Sequence, residues 1–510
     1  MTGARSAPSS ALLLTILFLT MMEFLQSGMI AFAAGPIMGE IGAAPEQFSL
    51  ATAAYACVAI VTIAKQRWLV ERLGWRRFIQ CSLAVFVIGS ALCGSSDTFP
   101  QFLCGRIIMA LGGAAFMTSG RVLINLIPPS PLRFVGIKYF ATGLSVGIAL
   151  APGLASFAVA QDNWRLIFGM LMVMALCSGL LATLVLPVDL VAAELRTQSH
   201  PVIFMALASG SFMILYWLQR AQYDFFSDTT LLVAGACAGL LGLYYVVRAL
   251  HRHERPLLEV RKLGTRRYLT GIVLYLVIYL LLGANNTILP FLLQRTLGFA
   301  WQTVGQFECL GLLSAVLTWC VMMVVMPRWP AAKKFFVLGF LALAAFGWGF
   351  ARINGEADLW GHLLPALACN GIFIMLVMPA TAMQTFQDLM HHETVFSHAQ
   401  QLKNMIAQFG SALGIAVATL GLQARTAVHY GVLNERFDSA GVVYQQQLHQ
   451  LAVALQAAGA GAQSMAVAAA QLSQQLTQQA SLLACLDYFH FITLVGLMGA
   501  TIMLVQRQFK

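Results

Sequence analysis

Apolar residues run along this chain in long blocks separated by short polar stretches. Blocks long enough to span a bilayer fall near 11–33, 48–64, 77–95, 100–126, 134–158, 165–187, 200–219, 229–250, 268–290, 301–326, 335–353, 359–386, 404–424 and 486–506. A transmembrane helix needs about 20 such residues. Lipid offers the backbone no hydrogen-bond partner, so each block is expected to be helical. The stretch from about 426 to 484 breaks the rhythm. It is rich in Gln and Ala, while Leu448, Leu451 and Leu455, then Leu472 and Leu476, recur at helical spacing. Two external helices with a turn at Gly459 and Gly461 are expected there.

Composition supports lipid as the solvent. The 510 residues are 59% hydrophobic and 10% charged. Soluble domains carry about 25% charge, which keeps their surfaces wet. The net charge of +10 does not point to nucleic acid, because the basic residues sit between the apolar blocks. With a cytoplasmic N-terminus, 23 of the 30 Lys and Arg fall in inward-facing segments. That tally counts Arg121 and Lys403 as loop-side residues and places both termini inside. The ten cysteines form no CxxC pair, and no metal cluster is expected. His391, His392 and His398 are read as solvated loop residues. The first block lacks a following small-residue cleavage pattern, so it is read as a retained helix.

The order of short motifs adds an architecture. Lys65-Gln-Arg-Trp-Leu-Val-Glu-Arg-Leu-Gly-Trp-Arg-Arg77 places an acid, Glu71, before a turn at Gly74 and a basic pair, Arg76 and Arg77. Arg106 stands in the fourth block within Gly105-Arg-Ile-Ile-Met-Ala-Leu-Gly-Gly113. The fifth block reads Gly143-Leu-Ser-Val-Gly-Ile-Ala-Leu-Ala-Pro-Gly-Leu-Ala-Ser156. There Gly143 and Gly147 would let a neighbouring helix approach closely, and Pro152 would weaken the helix. These motifs, with Leu289-Pro-Phe-Leu-Leu-Gln294, Asn370-Gly-Ile-Phe373 and Gln408–Ala416 in order, resemble the major facilitator superfamily. They are most similar to its fourteen-helix drug:proton antiporters, the EmrB/QacA type. That family usually has Asp in place of Glu71 and of Ser27, and Gln in place of Met109.

The resemblance implies an all-α integral membrane protein with the major facilitator fold. A six-helix bundle over 1–187 would be followed by two extra helices and a linker over 188–267. A second bundle would occupy 268–510, with the external segment 426–484 inside it. It also implies proton-coupled export of small amphipathic compounds by alternating access, at the bacterial inner membrane. No cofactor beyond the proton gradient is expected. Glu23, Arg106 and Glu308 are the candidates for proton coupling, because ionisable residues within a span are costly and mark function. The candidate pocket residues are Gln26, Asn285, Asn286, Asn370 and Gln384. The expected partners are the bilayer, a small-molecule substrate, and a periplasmic adaptor with an outer-membrane channel. Export of one metabolite, such as a siderophore, is the alternative. A membrane sensor or enzyme is the alternative from another class, but no catalytic triad, nucleotide loop or metal motif supports it.

Overall fold

The computed structural model describes every residue except 1–7, 129–131, 189, 193, 195, 225–227, 254–255, 355–357, 437–441, 458–462 and 510. The described regular structure is helical throughout. In chain order the helices are α1 (Ser10–Phe32), α2 (Ala34–Glu40), α3 (Pro45–Gly94), α4 (Phe99–Gly113), α5 (Phe116–Leu123), α6 (Arg133–Ala160), α7 (Leu166–Val185) and α8 (Pro201–Asp224). They continue as α9 (Thr229–Arg252), α10 (Arg266–Pro290), α11 (Trp301–Arg328), α12 (Ala332–Ala351), α13 (Leu364–Phe386), α14 (Glu393–Arg436), α15 (Val442–Ala457) and α16 (Ser464–Val505).

Among the described residues, 13 helical stretches are long and apolar enough to cross a membrane. One of them crosses twice. The 50 residues of α3 would be about 75 Å long if straight, against a hydrocarbon core of about 30 Å. The helix breaks at Gly74, where φ is 76° and ψ is 161°. Only glycine adopts that conformation without strain. The arms before and after Gly74 supply two crossings, which brings the total to fourteen. The fourth predicted block is also interrupted. Ala114 and Ala115 form a turn between α4 and α5.

Close approach without side chains shapes the packing. A Cβ on Gly143 or Gly147 of α6 would run into the α1 backbone at Leu17 or Met21. Pro152, one turn further on, presents its carbonyl to Gly305 of α11. Helix α6 thus packs on α1 along one side and on α11 along the other, which joins the two halves of the molecule. Helices α8 and α9 pack together, and α8 rests on the first arm of α3, where Cys57 Sγ approaches the Ala208 carbonyl at 3.7 Å. Aromatic side chains fill the later half. Phe350 and Phe489 stack at 4.8 Å, and Phe346 meets Phe489 edge-on at 5.6 Å.

The 426–484 stretch is helical where described. Helix α14 runs on to Arg436, α15 packs against the early part of α16, and α16 continues into the last span. The expected turn at Gly459 and Gly461 lies outside the described residues. Arg425 and His429 of α14 both reach Asp487 Oδ2 of α16, at 2.6 and 2.7 Å.

Candidate functional site

Helix α1 begins and α16 ends on one face of the molecule, together with Arg67, Arg121, Arg267 and Arg507. It is called the basic face here. Starting from that face, Glu23 lies 13 residues into α1, or about 20 Å along it. The side chain is buried, with 8% exposure. Its two oxygens are held from both halves of the molecule. Gln26 Nε2, one turn on, donates to Oε2 at 3.2 Å. Gln408 Nε2 of α14 donates to Oε1 at 3.2 Å. Gln26 also donates to the Tyr55 hydroxyl at 2.6 Å. The Arg106 guanidinium lies over the Tyr55 ring, 4.1 Å from its centre.

Glu23 and Arg106 therefore belong to one chain of contacts, with Gln26 and Tyr55 between them. Arg106 is buried rather than extended to the lipid interface, and its Nη1 lies 3.6 Å from the Met109 sulfur. Hydrogen bonds of this kind stabilise a buried carboxylate and fix its orientation.

Among the described residues, two cavities lie between helices of the earlier and later parts of the chain. The inner one has a volume of about 130 Å³ and is lined by Glu23, Ser27, Pro152, Asn286, Glu308, Asn370 and Gln408, among others. Glu308 lies about 10 Å along α11 from Trp301. It is buried, and its Oε1 has no hydrogen-bond partner among the described residues. Phe32 of α1 meets Trp301 of α11 edge-on at 5.6 Å, which covers the end of this cavity away from the basic face. The outer cavity, about 850 Å³, lies toward the basic face between α5 and α6 on one side and α10, α11, α13 and α14 on the other.

Some expected pocket residues sit elsewhere. Asn286 and Asn370 line the inner cavity. Asn285 points away from it, accepting from Tyr488 Oη at 2.6 Å and donating to Asn370 Oδ1 at 3.4 Å. Gln26 is a support for Glu23 rather than a cavity wall. Gln384 lines the outer cavity and accepts a hydrogen bond from Arg267.

Two residues assigned to a loop by the sequence pattern are inside the bundle. Lys403 and His398 are 3% and 1% exposed. Helix α14 begins at Glu393, three turns before the apolar block that marked it. Its first turns are polar because they face other protein: Gln401 Nε2 donates to the Ile63 carbonyl at 2.7 Å, and Asn404 donates to Thr118 Oγ1. Lys403 Nζ donates to Asn404 Oδ1 at 2.7 Å and lies 5.0 Å from the Tyr275 ring centre. His391 and His392 are exposed.

The acid–Gly–basic loop ties three segments together on the basic face. Glu71 pairs with Arg67 at 2.7 Å and accepts from Thr197 N and Oγ1 at 2.7 and 2.8 Å. Arg67 Nη1 donates across the halves to the Thr394 carbonyl at 2.9 Å. Arg76 N donates to the Pro187 carbonyl at 3.2 Å. Arg77 is exposed.

Fourteen apolar crossings around a mostly apolar cavity that holds a few buried polar groups are the architecture of a membrane transporter. A family model, the Major Facilitator Superfamily, matches residues 16–418. This chain belongs to that superfamily. The multidrug export protein EmrB of Haemophilus influenzae is 22% identical over 507 residues, covering 97% of this chain and 94% of its own. The protein named MdtD of Serratia proteamaculans is 23% identical over 418 residues, covering 81% of this chain and 85% of its own. A solved structure described under substrate recognition in proton dependent oligopeptide transporters superposes with a TM-score of 0.57 at 14% identity, covering 98% of this chain and all of that one. That likeness concerns the fold.

Proposed function

We propose that this chain exports small amphipathic compounds in exchange for protons by alternating access. The observation that carries the reading is the position of Glu23. Its carboxylate stands at the wall of the inner cavity and is held at once by Gln26 of its own helix and by Gln408 of the other half. Protonating it removes the negative charge that both amides address, so the proton state bears directly on how the halves meet. The named export function of the EmrB relative supports the direction. The basic face would be cytoplasmic, with both termini there, in a bacterial inner membrane.

The test is efflux from proteoliposomes containing the purified chain, with a pH-sensitive dye on one side. Substrate movement is expected to drive proton movement in the opposite sense, and to stop when an ionophore collapses the gradient. Efflux that ignores the gradient would refute proton coupling. The opposite result of a compound panel, a single transported metabolite, would favour the specific-exporter reading.

The helices beyond the bilayer offer a periplasmic adaptor its docking surface, through the end of α14, α15 and the start of α16. Deleting about 440–480 is expected to abolish co-purification of an adaptor while membrane insertion persists. Retained co-purification would place the adaptor elsewhere.

A further inference from the structure

The outer cavity has a chemistry of its own. Among the described residues, four basic side chains line it, Arg121, Arg267, Lys403 and Arg507, and no acidic side chain does. Positive residues at a cytoplasmic rim are ordinary, and Arg267 and Arg507 need no other account. Arg267 is moreover balanced by Asp388, 3.4 Å away.

Arg121 and Lys403 are different. Lys403 lies ten residues into α14, about 15 Å along the helix, and is 3% exposed. A retention signal would not be buried there. Among the described residues neither Lys403 nor Arg121 forms an ion pair. Lys403 is held by Asn404, by the Met117 sulfur at 3.7 Å and by the faces of Tyr275 and Tyr279. Arg121 lies over the Phe396 ring at 5.0 Å. The acid whose charge reaches Lys403 is Glu23, whose own hydrogen bonds go to Gln26 and Gln408. Lys403 comes from the later half and Arg121 from the earlier one, so an anion bound between them would touch both halves. The remaining wall is apolar and aromatic, with Phe140, Trp319 and several methionines.

We propose that the outer cavity is a binding site for amphipathic organic anions, a carboxylate or sulfonate carried on an aromatic body. Lys403 and Arg121 hold the anionic group. The aromatic and Met wall takes the apolar body. A buried cation without a counter-ion favours a ligand that supplies one, and it disfavours a cation of the same shape. This rests on the transporter reading above and adds its substrate class.

The experiment uses three probes on one naphthyl-alkyl skeleton: a sulfonate, the neutral sulfonamide and a trimethylammonium. The sulfonate and the ammonium are permanently charged and have no neutral form to partition into lipid, and uptake of the neutral sulfonamide by empty nanodiscs is subtracted. Binding to the full-length chain is measured by calorimetry, in nanodiscs of zwitterionic lipid and again with phosphatidylglycerol. Efflux of each probe is measured in proteoliposomes.

The sulfonate is expected to bind about ten-fold or more tighter than the sulfonamide, with no binding of the ammonium. Lys403→Gln and Arg121→Gln are each expected to lose about ten-fold in sulfonate affinity, while Lys403→Arg keeps most of it. Arg121→Gln stands as an independent arm if Lys403→Gln does not fold. Equal or tighter binding of the ammonium or sulfonamide would overturn the anion assignment, even where all three are exported. Sulfonate binding unchanged in both Gln variants would overturn it too. Sulfonate affinity lost only in phosphatidylglycerol discs would make a lipid headgroup the occupant and overturn a soluble substrate. Tight sulfonate binding with no efflux would uphold the site and refute the exporter reading instead.

Discussion

Glu23→Gln is expected to leave a folded, monodisperse protein that no longer responds to a pH gradient. Gln keeps the shape and can still meet Gln26 and Gln408, but it cannot exchange a proton. A gradient of one pH unit is worth about 1.4 kcal/mol per proton, or about ten-fold in accumulation. The wild-type chain should approach that ratio in proteoliposomes, and the variant should stay near equal concentrations on both sides. Exchange of labelled for unlabelled substrate should persist, because it needs alternating access but no net proton movement. Accumulation in the variant that still rises with the gradient would rule out Glu23 as the coupling acid. Glu308→Gln is then the informative companion. If Glu308 carries the proton, the losses fall on that variant instead.

The second large effect is structural. Helices α10 and α14 meet at Gly414, where an added Cβ would collide with the Leu280 carbonyl. The obstacle is backbone, so it cannot move aside as a flexible side chain would. Overfilling a packed interface costs about 1–3 kcal/mol and sometimes more. Gly414→Leu should lower the thermal midpoint in detergent by several degrees and reduce the monodisperse yield. Efflux should fall as well, because Gln408 on the same helix is the hydrogen-bond donor from the later half to Glu23. Gly421→Leu, on the same helix but with nothing within 4 Å, is the control and should change neither. A Gly414→Leu protein as stable as wild type would mean that the contact is not tight.

Hydropathy made most of the crossings legible. Each lipid-facing helix must be apolar over its full length, and that requirement is written locally. It failed where a helix faces protein. The start of α14 carries His398, Gln400, Gln401, Lys403 and Asn404, all buried, and it reads as a loop because its solvent is other side chains. For the same reason the pattern assigns Lys403 to a loop. Gly74 was legible as a turn, since an acid, a glycine and a basic pair sit between two apolar runs. Glu23, Arg106 and Glu308 stood out as charges within spans. Tyr55 did not, because an aromatic residue in an apolar run carries no sign of what its hydroxyl meets. Asn285 and Asn286 are adjacent and chemically identical, yet only one faces the cavity. That choice depends on helix rotation, which comes from packing across distant segments.

Helix α14 holds one further consequence. It carries Gln408, the contact to Glu23, and continues as a single helix to Arg436, about 42 Å further along. A tilt of roughly 10° about the level of Gln408 would swing its far end by about 7 Å. In the proposed cycle the helix would act as a lever, turning a small change at the Glu23 contact into a larger displacement at its far end. Whatever rests on that tip would be pushed once per transport cycle.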